Sequence, residues 1–417
     1  MALEHITTLT CVRCGRTHGL DVAYTCPACG TEGILDVGYD YERVARTLTR
    51  ESLPSRRRDQ WRYMELLPVD ARQELPELQV GLTPVYEAPR LAEELGLARL
   101  VLKDDGRNPT CSFKDRASAV GVVKARELGR EVIACASTGN AASSLAGFSA
   151  AYGLNSVIFV PHRTPEPKVA QLLIYGARVL RVAGSYDEAY WLCHAACERY
   201  GWYNRNCAIN PYLVEGKKTV GLELAEQLGA RMPQWVVLSV GDGCTLAGAW
   251  KGLREMHRLG LLPWLPRMLG VQAAGSSPMV RAYASGGEPV PVEARTLADS
   301  IAVGQPRNWR KAFQAIRESQ GALLEVTDEE ILEAMPRMAR RTAVFGEPAA
   351  AAALAGLTRA VREGIVNRSE DAVVVVTGNG LKDVRSAIQT AAPPVDLPPD
   401  LAALESVLHK LRLPASN

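Results

Sequence analysis

The chain carries almost no net charge: 48 Lys and Arg stand against 46 Asp and Glu, leaving +2. Such a balance offers no field to draw in DNA, RNA or an anionic membrane surface. The opening residues, Met1-Ala-Leu-Glu-His5, hold neither a basic stretch nor an apolar one, so no secretory leader is read and a cytoplasmic setting is expected. No apolar run approaches the roughly eighteen residues of a membrane span. Internal repeats and low-complexity segments are also missing, which sets aside solenoids and collagen-like chains. The composition, 47% apolar and 23% charged, is that of a globular protein with a sizeable core. A small molecule is the expected partner, not a nucleic acid or a membrane.

At 417 residues the chain is long enough for two or three domains. Its cysteines fall into two groups. Cys111, Cys135, Cys193, Cys197, Cys207 and Cys244 are scattered through segments that read as core, a usage that suits a reducing compartment better than a disulfide framework. The others form two knuckles, Cys11-Val-Arg-Cys14 and Cys26-Pro-Ala-Cys29, each followed by a glycine that permits the tight turn. Paired C-x-x-C knuckles can place four thiolates on one tetrahedral cation, and the expectation is a structural zinc held by Cys11, Cys14, Cys26 and Cys29 in a ribbon-like module over 1–35.

Beyond an extension over 36–79, short β-branched runs alternate with helical patterns. Strands are expected at Leu100–Lys103, Glu131–Ala136, Ser156–Val160, Arg178–Val182, Trp235–Val240, Met268–Gln272 and Ala372–Val376. Helical patterns include 115–128, 142–152, 186–200, 219–228 and 246–257. This alternation predicts an α/β fold of two open parallel-sheet domains over 80–395, a smaller one of about 115–215 being inserted in the larger. Prolines at 393, 394, 398 and 399 then precede a terminal helix within 396–417, whose stripe of Leu401, Leu404, Leu408 and Leu411 is expected to dock on the body or on a second subunit.

Ligands of open α/β sheets bind at the carboxyl ends of the strands, and several chemistry-bearing segments fall there. Lys114 opens a helical pattern, where the positive end of the helix disfavours an ammonium and favours a nucleophilic amine. Ser137-Thr-Gly-Asn140 closes one strand and opens a helix, a turn suited to a carboxylate. Gly241-Asp-Gly-Cys-Thr245 does the same after another strand and forms a phosphate cradle, from which the Asp242 carboxylate must point away. Thr377 ends the most apolar strand.

The segment Asp105–Ala117, with Ser112-Phe-Lys-Asp-Arg116, resembles the lysine motif of the pyridoxal-phosphate enzymes of the tryptophan-synthase-β fold (fold type II), and is closest to the threonine synthase family. Gly81-Leu-Thr-Pro84, the Ser137–Asn140 and Gly241–Thr245 turns, Asn210–Thr219 and Thr377–Asp383 repeat that family's order from about 80 to 385. The resemblance implies a lyase with pyridoxal 5'-phosphate between the two domains. Lys114 would join the cofactor covalently and then carry protons. Asn140 would meet the phenolic oxygen, Gly241, Asp242, Gly243, Cys244 and Thr245 the phosphate, and Thr377 the pyridine nitrogen. Ser137, Thr138 and Gly139 would receive the substrate carboxylate. A homodimer is expected.

One departure concerns the substrate. Where the family usually sets Asn, Ser, Arg and Thr toward a substrate phosphate, this chain has Cys207, Ala208, Leu213 and Ala141. A buried dianion needs donors, so either Arg307, Lys217 or Lys218 rebuilds the site, or the substrate has no phosphate; the expectation is that a phosphorylated substrate, if used at all, is a poor one and that a smaller neutral side chain fits better. The competing readings are an eliminating or replacing enzyme for an unphosphorylated hydroxy amino acid, similar to serine and threonine ammonia-lyases, and a regulatory protein that only binds the cofactor.

Overall fold

A computed structural model describes residues 3–21, 24–164, 166–206 and 208–411. The parallel strands expected from the sequence are present, with ends shifted by about one residue. Trp235–Ser239 lies inside a six-stranded sheet ordered Ala322–Val326, Arg267–Ala273, Trp235–Ser239, Asp371–Val376, Arg99–Asp104 and Val85–Glu87. All neighbours run parallel except the antiparallel edge strand Val85–Glu87. Helices cover both faces, which is why Trp235–Ser239 is buried along its whole length and Asp371–Val376 from Ala372 onward, so that both read as unbroken apolar runs. A second, four-stranded parallel sheet is ordered Arg178–Val182, Asn155–Pro161, Val132–Ala136 and Tyr203–Asn204. The short or half-exposed strands Val85–Glu87, Tyr203–Asn204 and Ala322–Val326 carry too few alternating apolar residues to stand out in the sequence.

The helix expected from Thr219 begins at Tyr212, with Pro211 as its cap residue and the Asn210 side chain accepting from the Tyr212 amide. Its first turns escape a periodicity search because Glu215, Lys217 and Lys218 are buried together with the apolar residues around them. Near the N-terminus, Thr17–His18, Ile6–Cys11 and Leu35–Tyr39 form an antiparallel sheet. Residues 391–400 are exposed throughout. They lead to the helix Leu401–Leu411, whose Leu401 and Leu411 stand 75% and 51% exposed, so the stripe is not covered by the body of this chain. Among the described residues, no helix is long and apolar enough to cross a membrane.

Candidate active site

The carboxyl ends of three buried strands converge on a cavity of about 560 Å³, within the usual range for a small-molecule site. Lys114, Ser137, Thr138, Gly139, Asn140, every residue of the turn Gly241–Thr245, and Thr377 line it, so segments far apart in sequence meet on one wall. Backbone pairing between loops fixes two of them against each other. The Phe113 amide donates to the Thr377 carbonyl at 2.9 Å and the Asn379 amide to the Cys111 carbonyl at 3.0 Å, holding Lys114 beside the end of strand Asp371–Val376. Lys114 is itself the cap residue of the helix Asp115–Glu127. Below it, Asp115 is buried and accepts from the Thr110 amide at 2.6 Å, which braces the first turn.

The turn after Trp235–Ser239 depends on glycine. Gly243 has φ +89, and a Cβ there would sit 3.0 Å from the Ala312 Cβ and 3.1 Å from the Asn308 carbonyl oxygen. The Asp242 carboxylate accepts from the Arg307 amide at 2.8 Å beside the opening of the helix Cys244–Arg258. The helix Asn140–Tyr152 likewise presents its first turn to the cavity behind Ser137–Gly139. An amine at a helix start, two amide-lined helix openings and a hydroxyl at a strand end form a donor set that fits pyridoxal phosphate and an amino acid.

Several wall residues were not singled out by sequence. The Asn140 amide donates to Glu347 Oε1 at 2.7 Å and to Ser300 Oγ at 3.0 Å, so a buried carboxylate behind the wall sets its rotamer. Burial pushes the Glu347 carboxyl above its usual range, while Asn140 and the nearby Lys114 pull the other way. Much of the 300–307 loop lines the cavity, well beyond Arg307 alone. Arg205 and Lys217 line it too, and both are nearly inaccessible to solvent. Arg307 lies 3.9 Å from the Tyr190 ring centroid; burial works against its charge, but Asp242 and the nearby tyrosines hold its pKa above the ordinary arginine value.

Three cations thus line the cavity whose expected phosphate ligands the sequence lacks. Leu213 is buried against the helix Asp115–Glu127, where a Cβ on Gly121 would touch it, and Ala208 packs with Ile34, Val214 and Cys244, so neither faces the cavity. Cys207 lies outside the described residues. Lys217 and Arg307 reach the wall as the sequence allowed; Lys218 does not, because Glu215 at 2.6 Å and Glu255 at 2.9 Å engage its Nζ in a separate buried cluster. Arg205 went unnoticed because nothing near it in sequence marks it as inward-facing.

In the N-terminal module the ligand atoms of Cys11, Cys14, Cys26 and Cys29 all lie within 4.8 Å of one another, and the Cys14 and Cys26 sulfurs are 3.9 Å apart. Tetrahedral coordination at Zn–S distances would separate them by about 3.8 Å. Gly33 is required here, since a Cβ would fall 2.6 Å from the Cys29 Cβ and 2.8 Å from that of Cys26.

Residues 76–378 match the family of pyridoxal-phosphate dependent enzymes. The chain is 40% identical over 405 residues to the threonine synthase of Methanocaldococcus jannaschii, an alignment covering 96% of this chain and 99% of that protein. It is 38% identical over 343 residues to the threonine synthase of Mycobacterium leprae, covering 82% of this chain and 93% of that one. Among solved structures, the processed threonine deaminase isoform 2 of Solanum lycopersicum superposes with a TM-score of 0.65 at 22% identity, over 74% of this chain and 87% of that one, a likeness of fold.

Proposed function

The chain belongs to the threonine synthase family of pyridoxal-phosphate dependent lyases, and on that premise we propose that it converts O-phosphohomoserine to threonine. The observation that carries this reading is the set of cations on the wall that also holds Lys114: Arg205 and Lys217, both buried, and the half-buried Arg307. Three cations on one wall give the cavity a positive potential that suits a dianionic substrate and the cofactor phosphate better than a neutral hydroxy amino acid.

Bound pyridoxal phosphate would supply an electron sink for carbanions at the substrate carbons. Lys114 would hold it covalently and afterwards take and return substrate protons. The amides of Gly241–Thr245 would receive the phosphate, with Asp242 kept aside by Arg307. Asn140, oriented by Glu347 and Ser300, would face the phenolic oxygen. Thr377 would offer a neutral hydroxyl to the ring nitrogen; a hydroxyl cannot hold that nitrogen protonated as a carboxylate does, which favours elimination and replacement over transamination. Ser137, Thr138 and Gly139, with the opening of the helix Asn140–Tyr152, would orient the substrate carboxylate. The cysteine cluster would hold a structural zinc.

Steady-state kinetics of the holoenzyme with O-phosphohomoserine, serine and threonine tests the reading. Threonine formation at micromolar O-phosphohomoserine is expected; deamination of serine or threonine at higher efficiency would replace the reading with an ammonia-lyase.

A further inference from the structure

The N-terminal module touches the catalytic body at two places, and both contacts flank the same knuckle. Just before Cys26, the Tyr24 hydroxyl accepts from the Asn204 amide at 2.9 Å, and the Tyr24 ring meets Tyr203 edge-on at 6.0 Å. These are strand residues of the four-stranded sheet. Just after Gly33, the buried Ile34 side chain packs with Ala208, Val214 and Cys244, and Cys244 belongs to the cavity wall. Asp36 then pins the module to the body of the large sheet, meeting Lys311 at 2.7 Å and Lys251 at 3.3 Å.

Between the two contacts lies the polar turn that delivers Arg205 and Asn206 to the cavity. It is braced from within: Asn206 accepts from the Ala136 amide at 2.9 Å, and Asn210 donates to the Asn204 carbonyl at 2.9 Å. Ala208, at φ +70, holds a left-handed conformation that a non-glycine residue keeps only where its surroundings impose it, and Ile34 is among those surroundings. The knuckle fixes both contacts together, since the Cys26 amide donates to the Gly33 carbonyl at 2.8 Å and Thr25 bridges to Ile34.

We propose that Tyr24 and Ile34 are positioning residues: through them the four-cysteine module sets the turn bearing Arg205, and thereby the fit of the anionic substrate. The inference rests on the reading of Arg205 as a cation of the substrate cavity. A module serving stability alone would need neither a hydrogen bond to the amide of the strand that precedes Arg205 nor a side chain inserted beneath Ala208 and against the cavity wall at Cys244.

The test compares holoenzyme carrying Tyr24→Phe, Ile34→Ala or Ile34→Val with the unaltered protein, by amide hydrogen exchange and by steady-state kinetics with O-phosphohomoserine. Tyr24→Phe should speed exchange in the peptide spanning 203–212 by about five- to tenfold, the effect of losing one modest hydrogen bond, and Ile34→Ala by at least as much, while the helix Asp328–Thr342 exchanges as before. The same variants should raise KM by about the same factor with kcat within about twofold, and Ile34→Val should restore both readings. Unchanged exchange over 203–212, or faster exchange spread evenly over the protein with kcat falling alongside, would overturn the proposal. Exchange is read without any substrate, so a protein that did not turn over O-phosphohomoserine would refute the functional reading and leave this inference to be decided by the exchange data.

Discussion

Replacing Arg116 by methionine probes the buried ion cluster that anchors the helix of Lys114. Arg116 lies two positions beyond that lysine and is fully buried. Its Nε and Nη2 donate to Asp105 at 2.6 and 2.8 Å, and its Nη1 and Nη2 donate to Glu223 at 2.5 and 2.8 Å. Lys103, also buried, meets Glu223 at 2.7 Å. Burial works against the charge on Glu223, yet Arg116 and Lys103 hold its carboxyl at about 2, below the usual 4.5. In Arg116→Met, Glu223 keeps Lys103, but Asp105 is left with the Thr83 hydroxyl, 2.7 Å away, as its remaining side-chain partner. Stranding a buried carboxylate in this way costs about 3–5 kcal/mol. Urea unfolding of the holoenzyme, followed by circular dichroism and by cofactor absorbance, should show that loss as a lowered midpoint at unchanged slope. Adding Asp105→Asn should recover at least about 1 kcal/mol by removing the orphaned charge. A depressed carboxylate stabilises the fold above its unfolded pKa and ceases to do so as pH falls through its folded one. The unaltered protein should therefore lose this contribution between about pH 4.5 and 2, while Arg116→Met, having already lost it, shows a shallower acid transition. A loss below about 1 kcal/mol, or a double variant no more stable than the single one, would refute the account of the cluster as mutually dependent charges.

Lys114→Ala should abolish turnover and leave no lysine adduct after borohydride reduction; an adduct on another lysine would overturn the assignment. Arg307→Met should raise KM for O-phosphohomoserine by about 10- to 100-fold, the worth of one charge-assisted hydrogen bond, with cofactor affinity unchanged in an absorbance titration. Asp104→Asn should gain stability relative to the unaltered protein as pH rises. Burial lifts the Asp104 carboxyl from 3.8 to about 6, so ionisation disfavours the fold across that window, and thermal melts should diverge between pH 4 and 6 and run parallel above it. Metal analysis of freshly purified protein should find about one zinc per chain, lost when Cys11 and Cys26 are both changed to serine.

The sequence by itself determined the α/β class, the central strands and the turns at their ends. Strands covered on both faces must be apolar along their length, as Ala372–Val376 is, and a turn such as Gly241–Thr245 needs its glycines whatever surrounds it. The position of Lys114 at a helix start was likewise written in local residues. Tertiary structure alone decided which groups work beside them. Asn140 and Glu347 are 207 positions apart, and no local pattern pairs them. Arg205, Lys217 and Lys218 look alike in sequence. Packing sends the first two to the cavity and the third into the Glu215–Glu255 cluster, because a buried cation is placed by whichever carboxylate or anion the fold brings within reach. The same holds for the cysteine knuckles: their spacing foretold that four thiols could converge, but only the fold set Tyr24 and Ile34 against the segment that carries Arg205.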